Sequence, residues 1–370
     1  MIYFDNAATG GFKPSAVVNS AEYALKYLSA NPGRSGHRLA VIGEEFIFRT
    51  RSLFSEVFNN RRIERVIFTK NCTEALNMAI FSLAKPDSEV VTTVTEHNSV
   101  LRPLYELEAK KAVTLKFAVP SSDRITVKDV LPLISAKTSL VVINAVSNVT
   151  GKKNDYEEIA LSVDCPVVID GAQAGGHLDI DLKRDKISAL ALAGHKGLYG
   201  IPGSGVLVFD DSVEISPLIF GGTGTESFEK VPSCYPELLE SGTLNLPAIA
   251  SLYDGLSYAV SNMEQSKKRL TEKTAFIVSE LKRIGVRVYS DKNPFGIVAF
   301  ASERGSVETA EILSEKYDIA VRGGFHCAPL MHKFLGTASD GLVRVSLAVQ
   351  NTDRETEKFI KAVRDLVRYS

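Results

Sequence analysis

No stretch of the 370-residue chain approaches the roughly 18 consecutive apolar residues that a membrane-spanning helix requires. Neither sign of charge dominates: 43 basic residues face 44 acidic ones, for a net charge of -1. The balance argues against a basic nucleic-acid-binding surface and against an acidic disordered tail. Cysteine is scarce. The four residues Cys72, Cys165, Cys234 and Cys327 are far apart and form no C-x-x-C pair. A zinc site, or any other metal centre built on them, and a disulfide framework are therefore not expected; free thiols in a reducing cytoplasm are. The opening "MIYFDNAATGGFKP" lacks the charged start and apolar run of a signal peptide. Internal repeats and low-complexity linkers are also missing.

What remains is an ordinary globular composition, 45% hydrophobic and 24% charged. At roughly 150 residues per domain, the length suggests about two domains. Between residues 64 and 210, short apolar runs ("RVIFT", "EVVTTV", "VTLKFAV", "SLVVINAV", "PVVID", "ALALA", "GVLVFD") read as buried strands. Amphipathic segments such as "TEALNMAIFSLA" and "SVLRPLYELEAKK" separate several of them. The alternation predicts an α/β domain with a mostly parallel sheet and helices on both faces. From about residue 255 the rhythm changes. A long helical stretch is followed by the short strands "VRVYS" and "GIVAFA", the helix "SVETAEILSEKY", the strands "DIAVR" and "GLVRVSLA", and a final helix. That helix carries Phe359, Ile360, Val363, Leu366 and Val367 as one apolar stripe. We expect a large domain over 21–254 and a smaller α+β domain formed by 1–20 with 255–370.

Asp170 ends an apolar strand in "VVIDGAQAGGH", with Gln173 in the turn that follows. Lys196, in "AGHKGLYG", follows another strand 26 residues later. Ligands of such sheets bind beyond the carboxyl ends of the strands. Taken alone, Asp170 could cap a turn and Lys196 could be a solvated surface residue. As an ordered pair they suit pyridoxal phosphate: the amine forms a Schiff base with the aldehyde, and the acid pairs with the ring nitrogen. "FTKNCTEALNMA" runs from a strand through a polar turn into a helix, placing Asn71, Cys72 and Thr73 where free N–H groups could meet a phosphate. Thr73 is a candidate helix cap, and His195 a further phosphate donor.

With those residues in view, the chain resembles the class V aminotransferase-type enzymes of pyridoxal phosphate, and among them the cysteine desulfurases and selenocysteine lyases. The resemblance rests on "YFDNAAT", "TEALN", "TEHNSV", "SNVTG", "IDGAQA", "GHKGLYGIPGSG", "ESGTLN", "AVRGGFHCAP" and "VRVSLAVQNT", in that order across nearly the whole chain. It implies the fold type I of these transferases. It makes Lys196 the lysine that binds the aldehyde, Asp170 the partner of the ring nitrogen and Gln173 that of the ring hydroxyl. His97, in "TEHNSV", stacks on the ring and assists proton transfer. Cys72, Thr73 and His195 hold the phosphate, and Thr243 reaches the phosphate of a partner subunit, so a homodimer is implied. Asn148 and Arg344 hold the substrate carboxylate, for which a guanidinium is the natural bidentate partner. The chain departs from many relatives three residues before the lysine, where a hydroxyl donor to the phosphate is replaced by Ala193.

The reaction turns on "GGFHCAPLMHKFLG". Pro329 predicts a short helix ending at Gly336, with Cys327 just ahead of it beside His326 and near Arg322. Those neighbours favour a reactive thiolate. The surroundings of Cys327 do not follow a core pattern, unlike those of Cys165, which precedes a buried strand; Cys234 has no assigned role. In the desulfurases that the chain resembles, this cysteine is the nucleophile. The implied activity removes sulfur from L-cysteine, leaving L-alanine and a persulfide on Cys327 for a protein acceptor, as in iron–sulfur cluster assembly. Selenocysteine lyase or aminotransferase activity on the same cofactor is the alternative; a scaffold that binds a sulfur-pathway partner without turnover is the less favoured one. Arg34 and His37, in "NPGRSGHRLA", resemble residues at the site entrance of relatives. The glycine-rich stretch 221–245 reads as a mobile flap, a partner surface or a plain ordered loop.

Overall fold

A computed structural model describes residues 1–368. The strands are β1 (Ile2–Tyr3), β2 (Val66–Thr69), β3 (Ser88–Thr93), β4 (Val113–Ala118), β5 (Thr138–Asn144), β6 (Val167–Asp170), β7 (Ala189–Ala193), β8 (Gly205–Phe209), β9 (Ile297–Phe300), β10 (Ile319–Ala320) and β11 (Val343–Ser346). The helices are α1 (Ser15–Tyr27), α2 (Arg38–Val57), α3 (Cys72–Leu83), α4 (Asn98–Ala109), α5 (Val127–Val130), α6 (Tyr156–Ser162), α7 (Leu246–Ser261), α8 (Met263–Arg283), α9 (Ser306–Tyr317), α10 (Pro329–Leu335) and α11 (Asp353–Arg368).

Seven strands form one sheet in the order β2-β8-β7-β6-β5-β3-β4. β4, β3, β5, β6 and β7 run parallel, and β8 runs antiparallel to both β7 and β2. The mostly parallel expectation is met, with β8 as the one reversed strand. Strands β2, β6, β7 and β8 are buried along their whole length, which is why they read as continuous apolar runs and not as alternating ones. Two apolar layers enclose the sheet. One, around Ile47, Phe54, Ile143 and Leu252, includes residues of α2 and α7; the other, around Leu76, Ile80, Leu104 and Val142, includes residues of α3 and α4.

The topology places the carboxyl ends of β2, β3, β5, β6 and β7 at one edge, where Asn71, His97, Asn148, Asp170 and Lys196 follow them. β8 begins at that same edge, Gly205 pairing with both Ala193 and Thr69. A Cβ on Gly205 would lie 2.3 Å from the backbone of Asn71. Glycine there lets the start of α3 approach the sheet.

A second apolar cluster joins Phe4, Leu270, Ile277, Phe300, Val343, Phe359, Ile360 and Val363. Its strands form two pairs, β9 antiparallel to β11 and β1 parallel to β10. The first residues of the chain thus pair with a segment more than 300 residues later. Two expectations need correction. "VRVYS" is not a strand; Val288 makes an isolated bridge to Phe300. Val367 is 44% exposed, because it falls in the last turn of α11, past the covering of the apolar cluster. The expected domain limits fall inside α1 and α7, which pack on one another.

Candidate active site

The strand ends enclose a cavity of about 210 Å³. Its lining brings together Lys196, Asp170, Gln173, His97, Cys72, Thr73, His195, Asn148 and Arg344. Nine of the eleven residues expected from the sequence therefore share one pocket. Ala193, Arg322 and His326 line it too. Cys327 and Thr243 do not appear in its lining.

Asp170 is 6% exposed, and its Oδ1 accepts from the Ala172 N–H at 2.9 Å. The Cys72 thiol approaches the same oxygen at 3.6 Å. Burial holds the Lys196 amine below its ordinary value; Asp170 opposes that shift, whereas Arg344 and Arg322 reinforce it. Burial and the two guanidiniums thus weaken the amine's hold on its proton, the direction a nucleophilic or basic lysine needs. Gln173 donates from Nε2 to the Ala7 carbonyl at 2.9 Å.

His97 plays two structural parts at once. It is the N-cap of α4, its Nδ1 accepting from the Ser99 N–H at 3.0 Å. Ser99 Oγ lies 2.9 Å from that same nitrogen and 2.8 Å from Thr73 Oγ1. Nε2 is the ring nitrogen left for the pocket. Burial lowers the imidazole to about 4, with Lys196, Arg322 and Arg344 adding to it against the pull of Asp170. The ring is neutral at neutral pH. His195, 2.9 Å from Thr9 Oγ1 through Nδ1, is also lowered to about 4 by burial and by Lys196 and Lys13.

The cap of α3 is Asn71, not Thr73. Asn71 is extended, and its side chain accepts from the Glu74 N–H at 2.9 Å, so the helix begins at Cys72. The free N–H groups of the first turn point to an anion at the pocket's edge. Thr243 lies in a neighbouring cleft with Lys70, Asn71, Glu74 and His195; Asn71 and His195 line both cavities.

Arg344 is 1% exposed and sits on β11, from which Nη2 reaches Asp5 at 2.9 Å and Nη1 the Asn148 carbonyl at 2.9 Å. Its Nε and the Asn148 Oδ1 are buried without partners, which suits two groups reserved for a ligand. Asn148 Nδ2 donates to the His326 carbonyl at 2.7 Å, and Asn98 N–H to the Cys327 carbonyl at 2.7 Å. The cysteine loop is thereby tied to the large sheet on both sides. His326 and Cys327 both have left-handed backbone, φ 50° and 56°, an uncommon conformation for non-glycine residues. Arg322 Nη2 stands 3.9 Å from Cys327 Sγ, so the thiol borders the pocket through a pocket residue. α10 begins at Pro329 and stops at Gly336 in left-handed conformation, as expected.

Outside the pocket, Arg34 clasps the 221–245 stretch by donating to the carbonyls of Gly222 and Gly242, and His37 caps α2. Cys165 is half-buried and Cys234 exposed. Sequence reading did not single out Asp5, Thr9 or Ser99 individually. Asp5 and Thr9 lie in "YFDNAAT" and Ser99 in "TEHNSV", but their partners are remote in sequence or come from another element.

The lysine, the acid on the adjacent strand end and the start of α3 line one cavity and fit pyridoxal phosphate. Buried Arg344 Nε and Asn148 Oδ1 leave polar capacity for a substrate carboxylate. Fold and site define a pyridoxal-phosphate-dependent enzyme of fold type I. The chain belongs to the class V aminotransferase family, whose model matches residues 2–359. A probable cysteine desulfurase of Pyrococcus abyssi is 33% identical, covering 100% of this chain and 94% of the relative. One from Methanothermobacter thermautotrophicus is 30% identical over 96% of this chain and 92% of its own length. An apo cysteine desulfurase structure from Thermococcus onnurineus superposes with a TM-score of 0.91 at 29% identity, covering 100% of this chain and 95% of the other. An Escherichia coli cysteine desulfurase gives 0.88 at 25% identity, with 99% and 94% covered.

Proposed function

We propose that the protein is a cysteine desulfurase that takes L-cysteine to L-alanine and carries the sulfur as a persulfide on Cys327. The observation that carries this reading is the cysteine whose Sγ stands 3.9 Å from Arg322, a residue lining the lysine–aspartate pocket. Arg344 and Asn148 receive the substrate carboxylate. Pyridoxal phosphate held by Lys196 and Asp170 would supply an electron sink for charge at the substrate's Cα. Lys196, whose hold on a proton is weakened by burial, takes the Cα proton. The Cys327 thiolate then attacks the substrate sulfur: a sulfur–sulfur bond forms and the carbon–sulfur bond breaks. The electron pair of the broken bond stays with the carbon fragment. That fragment takes up one proton at Cβ and, at Cα, the proton that Lys196 removed, and leaves as alanine. His97 Nε2 shuttles protons between substrate and solvent, a role suited to an imidazole neutral at working pH.

The reading extends to a homodimer in which Thr243 serves the partner's phosphate site, to a protein sulfur acceptor, and to a reducing cytoplasm. No helix among the described residues is long and apolar enough to cross a membrane. The experiment is to supply L-cysteine with a reductant and quantify alanine, sulfide and keto acid. We expect alanine and sulfide in equal amounts, falling on the order of 10³-fold in Cys327→Ala. Unchanged turnover in that variant would reject the nucleophile. A keto acid in place of alanine would indicate an aminotransferase.

A further inference from the structure

Cys72 was expected at the phosphate, yet its side chain faces the other end of the site. We propose that the Cys72 thiol is a positioning group that donates a hydrogen bond to Asp170 Oδ1 and reserves Oδ2 for the cofactor's ring nitrogen. The inference rests on the reading of Asp170 as partner of that nitrogen.

Three observations support it. Cys72 Sγ lies 3.6 Å from Oδ1, within reach of a sulfur donor, and the Ala172 N–H reaches that same oxygen at 2.9 Å. Two donors from different elements, α3 and the turn after β6, thus converge on one oxygen of the carboxylate. Cys72 and Asp170 are 8% and 6% exposed, so water competes little for either, and a buried carboxylate needs several donors to remain charged and oriented. Third, Cys72 occupies the first position of α3, where its backbone N–H remains available to an anion while its side chain turns inward.

Burial, and then the charge of Asp170, push the thiol well above its ordinary value, which keeps its proton in place as a donor. Three other titratable groups around Asp170 come from two segments. Lys196 follows β7, and Glu96 and His97 precede α4. Glu96 is pushed up to about 8 by burial, and His97 is lowered to about 4. At neutral pH His97 is uncharged and Glu96 is mostly protonated, so neither adds a charge beside Asp170. A donor that locks its orientation therefore acts directly on the ring nitrogen.

The test loads apoprotein with pyridoxal phosphate labelled with ¹⁵N in the ring, and reads the nitrogen chemical shift together with the equilibrium affinity for the cofactor. Wild type and Cys72→Ser, which keeps a donor, are expected to give a protonated nitrogen and equal affinity. Cys72→Ala is expected to bind about three- to tenfold more weakly and to move the nitrogen toward its unprotonated shift, in the direction of Asp170→Asn. An unchanged shift in Cys72→Ala, whatever its affinity, would overturn the positioning role, since a purely structural defect does not alter ring protonation. Wild-type protein that binds no cofactor would instead overturn the reading of the site itself.

Discussion

At the residue scale, the lysine, the acid and the glutamine were legible because each follows an apolar strand in a short polar turn. Their meeting in one pocket follows from the sheet's connectivity. The supporting groups were less legible. Asp5 acquires a role only because β1 pairs with β10 and an isolated bridge sets Asp5 beside Ser346, bringing it within 2.9 Å of Arg344. Ser99 links Thr73 to His97 across two helices. Such partnerships depend on tertiary placement, which spacing does not encode.

Glu96 makes a pH-dependent prediction at this same scale. Fully buried, it accepts from Thr93 Oγ1 at 2.6 Å and from the Asn144 N–H at 3.0 Å, while its other oxygen has no partner. Burial pushes it up to about 8 from an ordinary 4.5. The folded protein then holds a proton that the unfolded chain releases, so the group's stabilising contribution is complete below pH 4.5 and is lost as pH rises through 8. Glu96→Gln removes that dependence. Its Tm relative to wild type is expected to climb steadily between pH 5 and 8 and to level off above; a difference independent of pH would contradict the buried neutral acid.

At the scale of elements, the N-termini of α3 and α4 and the end of β7 bound the pocket. Strand and helix positions were readable from periodicity, since most buried strands are uniformly apolar and α3, α4 and α9 begin near their expected starts. The cap of α3 was not, because Asn71 and Thr73 are both good capping residues and only the extended backbone of Asn71 decides between them. A buried ion pair ties α2 to β2 and the loop before α7. Arg51 on α2 makes a bidentate contact with Glu240 at 2.9 and 2.8 Å, with both side chains about 5–6% exposed. Glu240 also accepts from the Phe68 N–H at 2.6 Å, and Arg51 covers the Phe68 ring at 4.7 Å. Glu240→Ala leaves a buried guanidinium without its partner and is expected to cost about 3–5 kcal/mol. Urea unfolding monitored by circular dichroism checks this; a loss below about 1 kcal/mol would mean the pair is replaceable by water.

At the scale of the molecule, two apolar cores are joined so that residues of the second complete a pocket built on the first. Arg322, His326 and Arg344 come from the segments around β10 and β11, while Asp170 and Lys196 belong to the large sheet. The α/β class and the change of rhythm near residue 255 were visible in the sequence. The side chains that meet where the two cores join were not, because contacts such as Arg344 with Asp5 and Asn148 depend on tertiary placement that spacing does not encode. The whole account depends on the amine at position 196 carrying the cofactor. Borohydride treatment of the purified, cofactor-loaded protein, followed by peptide mapping, tests this directly. We predict loss of the visible absorbance and a single pyridoxyl adduct on the peptide containing Lys196. An adduct on a different lysine, or none, would contradict it.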